Sequence, residues 1–157
     1  MKFLVLGCNG VAGHMISIYL SESGHDVTGY ARSNSRFVET VIGDAKDTEL
    51  LSQAIRNGNY DAIINCIGIL NKFAEEDHES AAFLNAYLPH FLSKIGRETN
   101  TYIIHMSTDC VFSGKKGQYK EDDLRDGESF YDRSKALGEL DDEYSVTLRN
   151  SIITIIK

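Results

Sequence analysis

KFLVLGCNGVAGH, the segment from Lys2 to His14, carries the strongest structural signal in the chain. A short apolar run typical of a buried strand is followed by three glycines, each three residues after the last, and then by a helical pattern. Glycines at such a junction let the chain turn tightly, let backbone amides approach a pyrophosphate and let the helix pack on the sheet. The first helical turn adds free N–H groups and a partial positive charge. The segment therefore predicts a dinucleotide-binding loop, with a plain strand-to-helix turn as the alternative. The expected cofactor contacts in this loop are Gly7, Asn9, Gly10, Val11 and Gly13.

The rest of the chain alternates strand-like and helix-like segments. Strand-like runs lie within residues 2–7, 25–31, 38–44, 60–68, 101–107 and 145–150, and helical patterns within 11–24, 47–58, 79–97 and 131–143. The strands are continuously apolar, which is typical of a parallel sheet covered on both faces. Right-handed crossovers then favour an α/β fold, a doubly wound Rossmann-like parallel sheet in the order 3-2-1-4-5-6 with helices on both faces. The first helix is predicted from apolar residues at Val11, Met15, Ile18 and Tyr19, and Pro89 predicts a kink or break in the third.

Length and composition predict one domain, residues 1–157, and exclude several kinds of partner. The 157 residues are 42% hydrophobic and 25% charged, with a net charge of −7, so nucleic acid is not expected as a partner. No apolar run is long enough for a membrane span. The three cysteines are far apart, which predicts no metal site and no disulfide framework, and fits a cytoplasmic protein. A homo-oligomer is left open beside a monomer.

The G-x-x-G-x-x-G spacing resembles the extended branch of the short-chain dehydrogenase/reductase superfamily, which implies a nicotinamide cofactor. An NAD site usually has Asp or Glu at the end of the second strand, but that end reads YARS here. Arg32 and Ser33 lie where a 2′-phosphate would be, and a guanidinium is well matched to phosphate. We therefore predict NADP(H) rather than NAD; the alternative is that Arg32 is a solvated loop residue.

Two further loops fit a cofactor groove. Asp44 and Ala45 follow the third strand and are expected to flank the adenine. Cys66, Ile67 and Gly68 follow the fourth strand and are expected to line the path of the ribose and pyrophosphate. Either loop could equally be plain connecting backbone.

A tyrosine, a lysine and a hydroxyl form a candidate reducing site. Tyr131 and Lys135 are four residues apart at the start of a helix, so they share one face. A nearby ammonium is expected to lower the pKa of the tyrosine, which could then pass a proton to a carbonyl oxygen as hydride reaches the carbon. Thr108 ends the fifth strand at the edge where ligands bind in doubly wound sheets, and its hydroxyl could polarise that carbonyl. A helix-surface pair is the alternative for Tyr131 and Lys135.

STDCVFSG followed by YDRSKALGE resembles the nucleotide-sugar 4-keto reductases, the family of dTDP-4-dehydrorhamnose reductase. FLNAYLPHFLS and LRNS match further family motifs. The resemblance implies Thr108 as the catalytic hydroxyl, Tyr131 as the acid and Lys135 as its partner, which also holds the cofactor. It places Asn85 at the cofactor. Expected substrate contacts are Ser107, Val111 and Phe112. Asp132 departs from the family, which usually has glycine there.

Family members continue well past the end of this sequence, and the absent part carries most of the nucleotide-sugar pocket. We therefore expect a fragment or truncated product, or a chain whose apolar end, IITIIK, is covered by another subunit. Such a chain is expected to bind NADPH and to turn over nucleotide sugar slowly or not at all. Two other functions are left open: an NAD-dependent sugar epimerase or dehydratase of the same superfamily, and a non-catalytic NADP-binding regulatory subunit.

Overall fold

Six parallel strands form one sheet in the order β3-β2-β1-β4-β5-β6, which confirms the predicted fold class. The computed structural model describes residues 1–151, so the predicted burial of the apolar run at 152–156 lies outside the described residues. The strands are β1 (Lys2–Leu6), β2 (Asp26–Ala31), β3 (Glu39–Ile42), β4 (Ala62–Asn65), β5 (Tyr102–Thr108) and β6 (Ser145–Asn150). The order reverses between β1 and β4, and the carboxyl ends of these strands form the edge where a ligand binds in such sheets.

Helices connect the strands and cover the sheet. They are α1 (Val11–Glu22), α2 (Thr48–Gly58), α3 (Asn71–Glu76), α4 (His78–Ala81), α5 (Leu88–Thr99) and α6 (Phe130–Leu137). α3 has no counterpart in the sequence prediction, and α6 ends at Leu137 although its pattern extended to residue 143. None of these helices is long and apolar enough to cross a membrane.

Both faces of the sheet are packed, as the continuous apolarity of the strands predicts. On β1, Leu4 and Leu6 join a core with α2 and α5, while Phe3 and Val5 join a second core with α1. Consecutive side chains of a strand point to opposite faces, so a strand buried on both sides needs apolar residues at every position.

The first helix packs through Gly13, Ser17, Ile16 and Leu20 rather than through the apolar stripe that predicted it. Val11, Met15 and Tyr19 are 56%, 58% and 70% exposed, while Gly13 and Ser17 are buried. Ser17 Oγ donates to the Gly13 carbonyl oxygen at 2.8 Å, so its hydroxyl needs no partner on the sheet. The helix was predicted correctly, but the stripe that predicted it faces outward.

The predicted helix at 79–97 is helical throughout but not uniform. α4 leads into a π-helical segment, Ala82–Tyr87, and this segment leads into α5. Pro89 lies in the first turn of α5, where its missing N–H removes the least hydrogen bonding. The π-helical turn lies just before Pro89, at the place of the predicted kink or break, and it carries the buried Asn85.

Candidate active site

The glycine loop joins β1 to α1 at the carboxyl edge of the sheet. Gly7 has φ +76°, a left-handed conformation that favours glycine. A Cβ on Gly13 would lie 2.1 Å from the Gly7 carbonyl oxygen, so α1 begins in direct contact with the loop. Gly10 is the N-cap of α1 and makes no side-chain hydrogen bond to its first turn. Amides without a side-chain cap at a helix N-terminus are suited to binding phosphate groups, so the loop fits a dinucleotide.

Asn9 links the glycine loop to the segment after β2. Its Nδ2 donates to the Ser33 carbonyl oxygen at 2.9 Å, beside an open groove. The groove is lined by Asn9, His14, Ser33, Asn34, Arg36 and Phe37. Arg32 is exposed outside this lining, whereas Arg36 is part of it. Arg36, which the sequence prediction did not include, therefore lines the same groove as Ser33.

Asp44 and Ala45 follow β3, and their side chains shape the turn. Asp44 Oδ1 accepts the Lys46 amide at 2.9 Å, and the Asp44 carbonyl oxygen accepts the Tyr30 hydroxyl at 3.2 Å. Ala45 is 5% exposed and packs in the core with α2. Their contact with adenine stays a prediction, and Ala45 could make it only through its backbone.

The loop that follows β4 lies between the glycine loop and α6. A Cβ on Gly7 would lie 3.1 Å from a side-chain carbon of Ile67. A Cβ on Gly68 would lie 3.1 Å from Asn85 Oδ1 and 3.8 Å from Lys135 Nζ. The loop therefore runs beside the glycine loop on one side and beside Asn85 and Lys135 on the other. Its predicted contact with the ribose and pyrophosphate stays a prediction.

Asn85 is completely buried, and all of its polar atoms bind protein groups. Its Oδ1 accepts the Ile69 amide at 2.8 Å. Its Nδ2 donates to the Ile69 carbonyl oxygen at 3.0 Å and to Ser134 Oγ at 3.1 Å. Asn85 thus ties the loop after β4 to α6. These bonds give Asn85 a supporting role, and its direct contact with a cofactor stays a prediction.

Thr108, Tyr131 and Lys135 lie close together at the carboxyl edge and are nearly buried. Thr108 ends β5, and the other two lie in α6; their exposed fractions are 7%, 6% and 5%. Lys135 Nζ donates to the Met106 carbonyl oxygen at 2.7 Å, which docks α6 on the end of β5. A Thr108 side-chain hydrogen bond acts to lower the pKa of Tyr131. Thr108 Oγ1 also lies 3.3 Å from Asp109 Oδ1, to which it donates, and accepts the Cys110 amide at 3.2 Å.

Burial controls the protonation of the site. It raises the pKa of Tyr131, an effect that the Thr108 hydrogen bond only partly opposes. The expectation that Lys135 would lower this pKa is therefore wrong for the protein alone: the pKa is raised, burial is the main cause, and the only opposing interaction comes from Thr108. Burial also lowers the pKa of Lys135 to about 8 and raises that of the Cys66 thiol to about 12. At neutral pH Tyr131 is thus protonated, Lys135 is mostly an ammonium, and Cys66 is an unreactive thiol.

The N-terminus of α6 is built by residues that the sequence argument overlooked or treated as departures. Asp132 N–H donates to Ser129 Oγ at 3.0 Å, and Asp132 Oδ2 accepts the Ser129 amide at 3.0 Å. This reciprocal capping box fixes the start of the helix. Gly127 makes room for it, since a Cβ there would lie 2.5 Å from that of Asp132. Glu75 of α3 accepts the Tyr131 amide at 3.1 Å.

The residues predicted to contact substrate have protein partners. Val111 is completely buried, and its contact with substrate stays a prediction. Ser107 Oγ donates to Glu139 Oε1 at 2.9 Å, so its hydrogen is already used. The Phe112 ring lies 4.9 Å from the Arg149 guanidinium and stacks on Tyr119. Substrate contacts by Ser107 and Phe112 stay predictions.

Two polar side chains are completely buried between β4 and β5. Asn65 Nδ2 lies 3.2 Å from His105 Nδ1, and Asn65 Oδ1 accepts the Ile67 amide at 3.1 Å. Burial holds the pKa of His105 well below its usual range, so the ring is neutral at pH 7. Among residues 1–151, His105 Nε2 has no hydrogen-bond partner, and no cluster of acidic, His and Cys side chains could hold a metal ion. The pair was missed because both residues sit inside apolar runs.

The sequence matches the family model described as the RmlD substrate binding domain over residues 1–152. The chain belongs to this family. The match confirms the resemblance to the nucleotide-sugar 4-keto reductases, since several relatives are dTDP-4-dehydrorhamnose reductases.

Curated relatives share the sequence at moderate identity. The probable low-salt glycan biosynthesis reductase Agl14 of Haloferax volcanii is 32% identical over 143 residues, 88% of this chain and 48% of the relative. The dTDP-4-dehydrorhamnose reductase of Mycolicibacterium smegmatis is 28% identical over 141 residues, 88% of this chain and 40% of the enzyme. Methionine adenosyltransferase 2 subunit beta of Xenopus tropicalis is 27% identical over 141 residues, 88% and 41% of the two chains. The chain thus spans about half the length of these relatives or less.

Solved structures agree with the fold. The crystal structure of a hypothetical dTDP-4-dehydrorhamnose reductase from Sulfolobus tokodaii matches with a TM-score of 0.85 and 33% identity, over 95% of this chain and 55% of that chain. The Bordetella bronchiseptica enzyme WbmG, in complex with NAD and UDP, matches with a TM-score of 0.81 over 95% of this chain and 52% of that chain. Its identity of 18% supports the fold alone.

Proposed function

We propose that this chain forms the cofactor-binding half of an NADPH-dependent reductase that acts on the 4-keto group of a nucleotide-linked sugar. The observation that carries the proposal is the joint burial of Thr108, Tyr131 and Lys135 at the edge of the sheet that also carries the glycine loop. The reductases among the relatives support the reaction class and the substrate class.

Each of the three side chains has one role in the proposed reaction. The dinucleotide, when bound, supplies a hydride to the carbonyl carbon. Tyr131 gives its phenolic proton to the carbonyl oxygen, so the ketone becomes an alcohol and the tyrosine a phenolate. The raised pKa of Tyr131 keeps that proton in place at neutral pH until it is needed. Thr108 donates a hydrogen bond to the same oxygen, and the Lys135 ammonium stabilises the phenolate that forms.

The groove beside the glycine loop supports NADP(H) over NAD. Arg36 lines the groove, and Arg32 directly precedes Ser33, another lining residue. Both residues carry a guanidinium, whereas an NAD site would use a carboxylate to hold the ribose. Replacing Arg36 by Ala is expected to lower NADPH affinity roughly 10- to 100-fold, the worth of a hydrogen bond to a charged group, and to leave NADH affinity unchanged. Fluorescence titration of this chain with both cofactors measures the effect, and Arg32→Ala shows which arginine contributes more. A wild-type preference for NADH would refute the assignment.

The catalytic proposal is tested by following NADPH absorbance with a 4-keto nucleotide sugar, using the full gene product. Tyr131→Phe should lower turnover by roughly 10²- to 10⁴-fold, the usual size of acid–base catalysis, without changing NADPH affinity to a similar extent. Tyr144→Phe is the matched control, because Tyr144 lies 36% exposed before β6. Near-normal turnover in Tyr131→Phe would refute the proton-donor role.

A second candidate is a cofactor-binding regulatory subunit. It is favoured by the 27% identity to a protein whose name is a subunit of methionine adenosyltransferase. This candidate predicts NADPH binding without NADPH oxidation on any 4-keto nucleotide sugar tried, and equal behaviour of wild type and Tyr131→Phe.

A further inference from the structure

Glu139, the second residue after α6, has a carboxylate that is 2% exposed and surrounded by donors. Ser107 Oγ donates to it at 2.9 Å, and Arg149 donates through Nε and Nη2, both at 2.8 Å. Arg125 Nε forms a further ion pair with it. Burial alone would raise the pKa of Glu139, but the hydrogen bonds from Arg149 and Ser107 outweigh it and hold the pKa below its usual range. The carboxylate is therefore charged at neutral pH.

The donors of Glu139 come from the two strands that form the edge of the site. Ser107 on β5 and Arg149 on β6 are direct partners in the parallel ladder, so their side chains leave the same face of the sheet. Ser107 immediately precedes Thr108, the proposed catalytic hydroxyl. Glu139 thus accepts a hydrogen bond from the end of β5, one residue before Thr108.

The same network holds the loop between β5 and α6. Arg149 Nη1 donates to the Glu121 carbonyl oxygen at 2.9 Å, and its guanidinium lies 4.9 Å from the Phe112 ring centroid. The loop is also linked internally, because Ser113 Oγ donates to Asp126 Oδ2 at 2.7 Å. One buried carboxylate therefore joins β5, β6 and this loop.

We propose that Glu139 is a positioning residue, which fixes Thr108 against the Tyr131 hydroxyl through its hydrogen bond with Ser107. Burying an ion pair gives little stability relative to apolar side chains of similar size, so stability alone is a weak reason for this arrangement. A carboxylate that accepts from both strands, by contrast, restricts the end of β5 to one geometry. The inference rests on the proposed roles of Thr108 and Tyr131.

The test reads Tyr131 directly, by NMR of this chain labelled with ¹³C at tyrosine Cζ. Tyr131→Phe assigns the resonance, and Thr108→Val defines the shift caused by loss of the Thr108 hydroxyl. Glu139→Gln keeps the shape but turns an amide N–H₂ toward donors, so it should move the Tyr131 resonance in the same direction as Thr108→Val. Glu128→Gln is the matched control, since Glu128 pairs with Lys115 at the exposed end of the same loop and should leave the resonance in place.

Ser107→Ala keeps the test decisive if Glu139→Gln does not fold. It removes only the link to Glu139 and leaves the Arg149 pair intact, so the Tyr131 resonance should still shift. If Thr108→Val moves the resonance but neither Glu139→Gln nor Ser107→Ala does, Glu139 is only a structural ion pair and the proposal is overturned. If Thr108→Val itself has no effect, the contact between Thr108 and Tyr131 is absent, which overturns the positioning role together with the proposed site.

Discussion

Replacing Gly13 by Ala tests the glycine loop at its tightest point. The new Cβ would lie 2.1 Å from the Gly7 carbonyl oxygen, where an unstrained contact needs about 3.5 Å. The obstacle is backbone, so α1 or the loop must move by more than ~1 Å. Overpacking of this kind costs about 1–3 kcal/mol, and the better helix propensity of Ala returns at most ~1 kcal/mol. We expect a net loss of about 2 kcal/mol, towards the upper end of that balance because neither partner is a flexible side chain.

Displacing the loop should also disturb the amides that would hold the phosphates, so we expect NADPH affinity to fall at least about tenfold, or ~1.4 kcal/mol. Urea denaturation and fluorescence titration measure the two effects on the same sample. Gly24→Ala is the matched control: Gly24 ends the turn after α1 with φ +81° and open space around its Cβ position. The left-handed conformation should cost about 1–2 kcal/mol there without changing NADPH affinity. Wild-type affinity in Gly13→Ala would refute the loop as the phosphate site, and wild-type stability would refute the steric reasoning.

Two further changes test the buried polar groups. Because the pKa of Lys135 is lowered from 10.5 to about 8, the unfolded chain binds more protons than the folded one between these pH values, so this group makes stability rise with pH across that window. Lys135→Met should remove this rise, which amounts to roughly 3 kcal/mol of unfolding free energy at about 1.4 kcal/mol per pKa unit. Urea denaturation of both proteins at pH 7 and 10 measures it. The same pH dependence of stability in wild type and Lys135→Met would contradict the prediction. Asn85→Leu leaves the Ile69 amide and carbonyl without partners and should cost about 2–4 kcal/mol, with faster amide exchange at Ile69; protection equal to wild type would count against the Asn85 clamp.

The sheet could be predicted from the sequence because its signals are local or follow from chain handedness. The central strands β1 and β4 are almost wholly apolar, and right-handed crossovers leave few strand orders once the glycine loop marks β1 as central. The buried face of α1 could not be predicted in this way. Val11 and Met15 gave the helical period, but the face that carries Gly13, Ile16 and Leu20 is the one that packs, because at Gly13 only a residue without a Cβ fits against the Gly7 carbonyl.

In the candidate site, too, the residues with local sequence signals could be predicted and those joined by long-range contacts could not. Tyr131 and Lys135 are close in sequence on one helix, and Thr108 was predicted from its place at the end of a strand and from the family motif. Glu139 and Arg149 meet through strand pairing and a long loop, so no spacing in the sequence connects them with Ser107. Long-range polar networks of this kind depend on register, and register follows from the whole sheet.

The protonation of Lys135 depends on several of these contacts together. Its amine is placed by the Met106 carbonyl oxygen and confined on the side of Gly68, whose loop is in turn held by Asn85. This enclosure excludes water, which lowers the pKa of Lys135 to about 8. The amine would therefore lose its charge only slightly above neutral pH. A bound dinucleotide carries negative phosphates, and negative charge nearby stabilises the ammonium. We therefore expect cofactor binding to raise the pKa of Lys135, so that the ammonium is most secure in the complex where the proposed phenolate would form. ¹⁵N-detected titration of the Lys135 amine with and without NADPH measures this directly, and an unchanged or lowered pKa would show that Lys135 does not sense the bound cofactor.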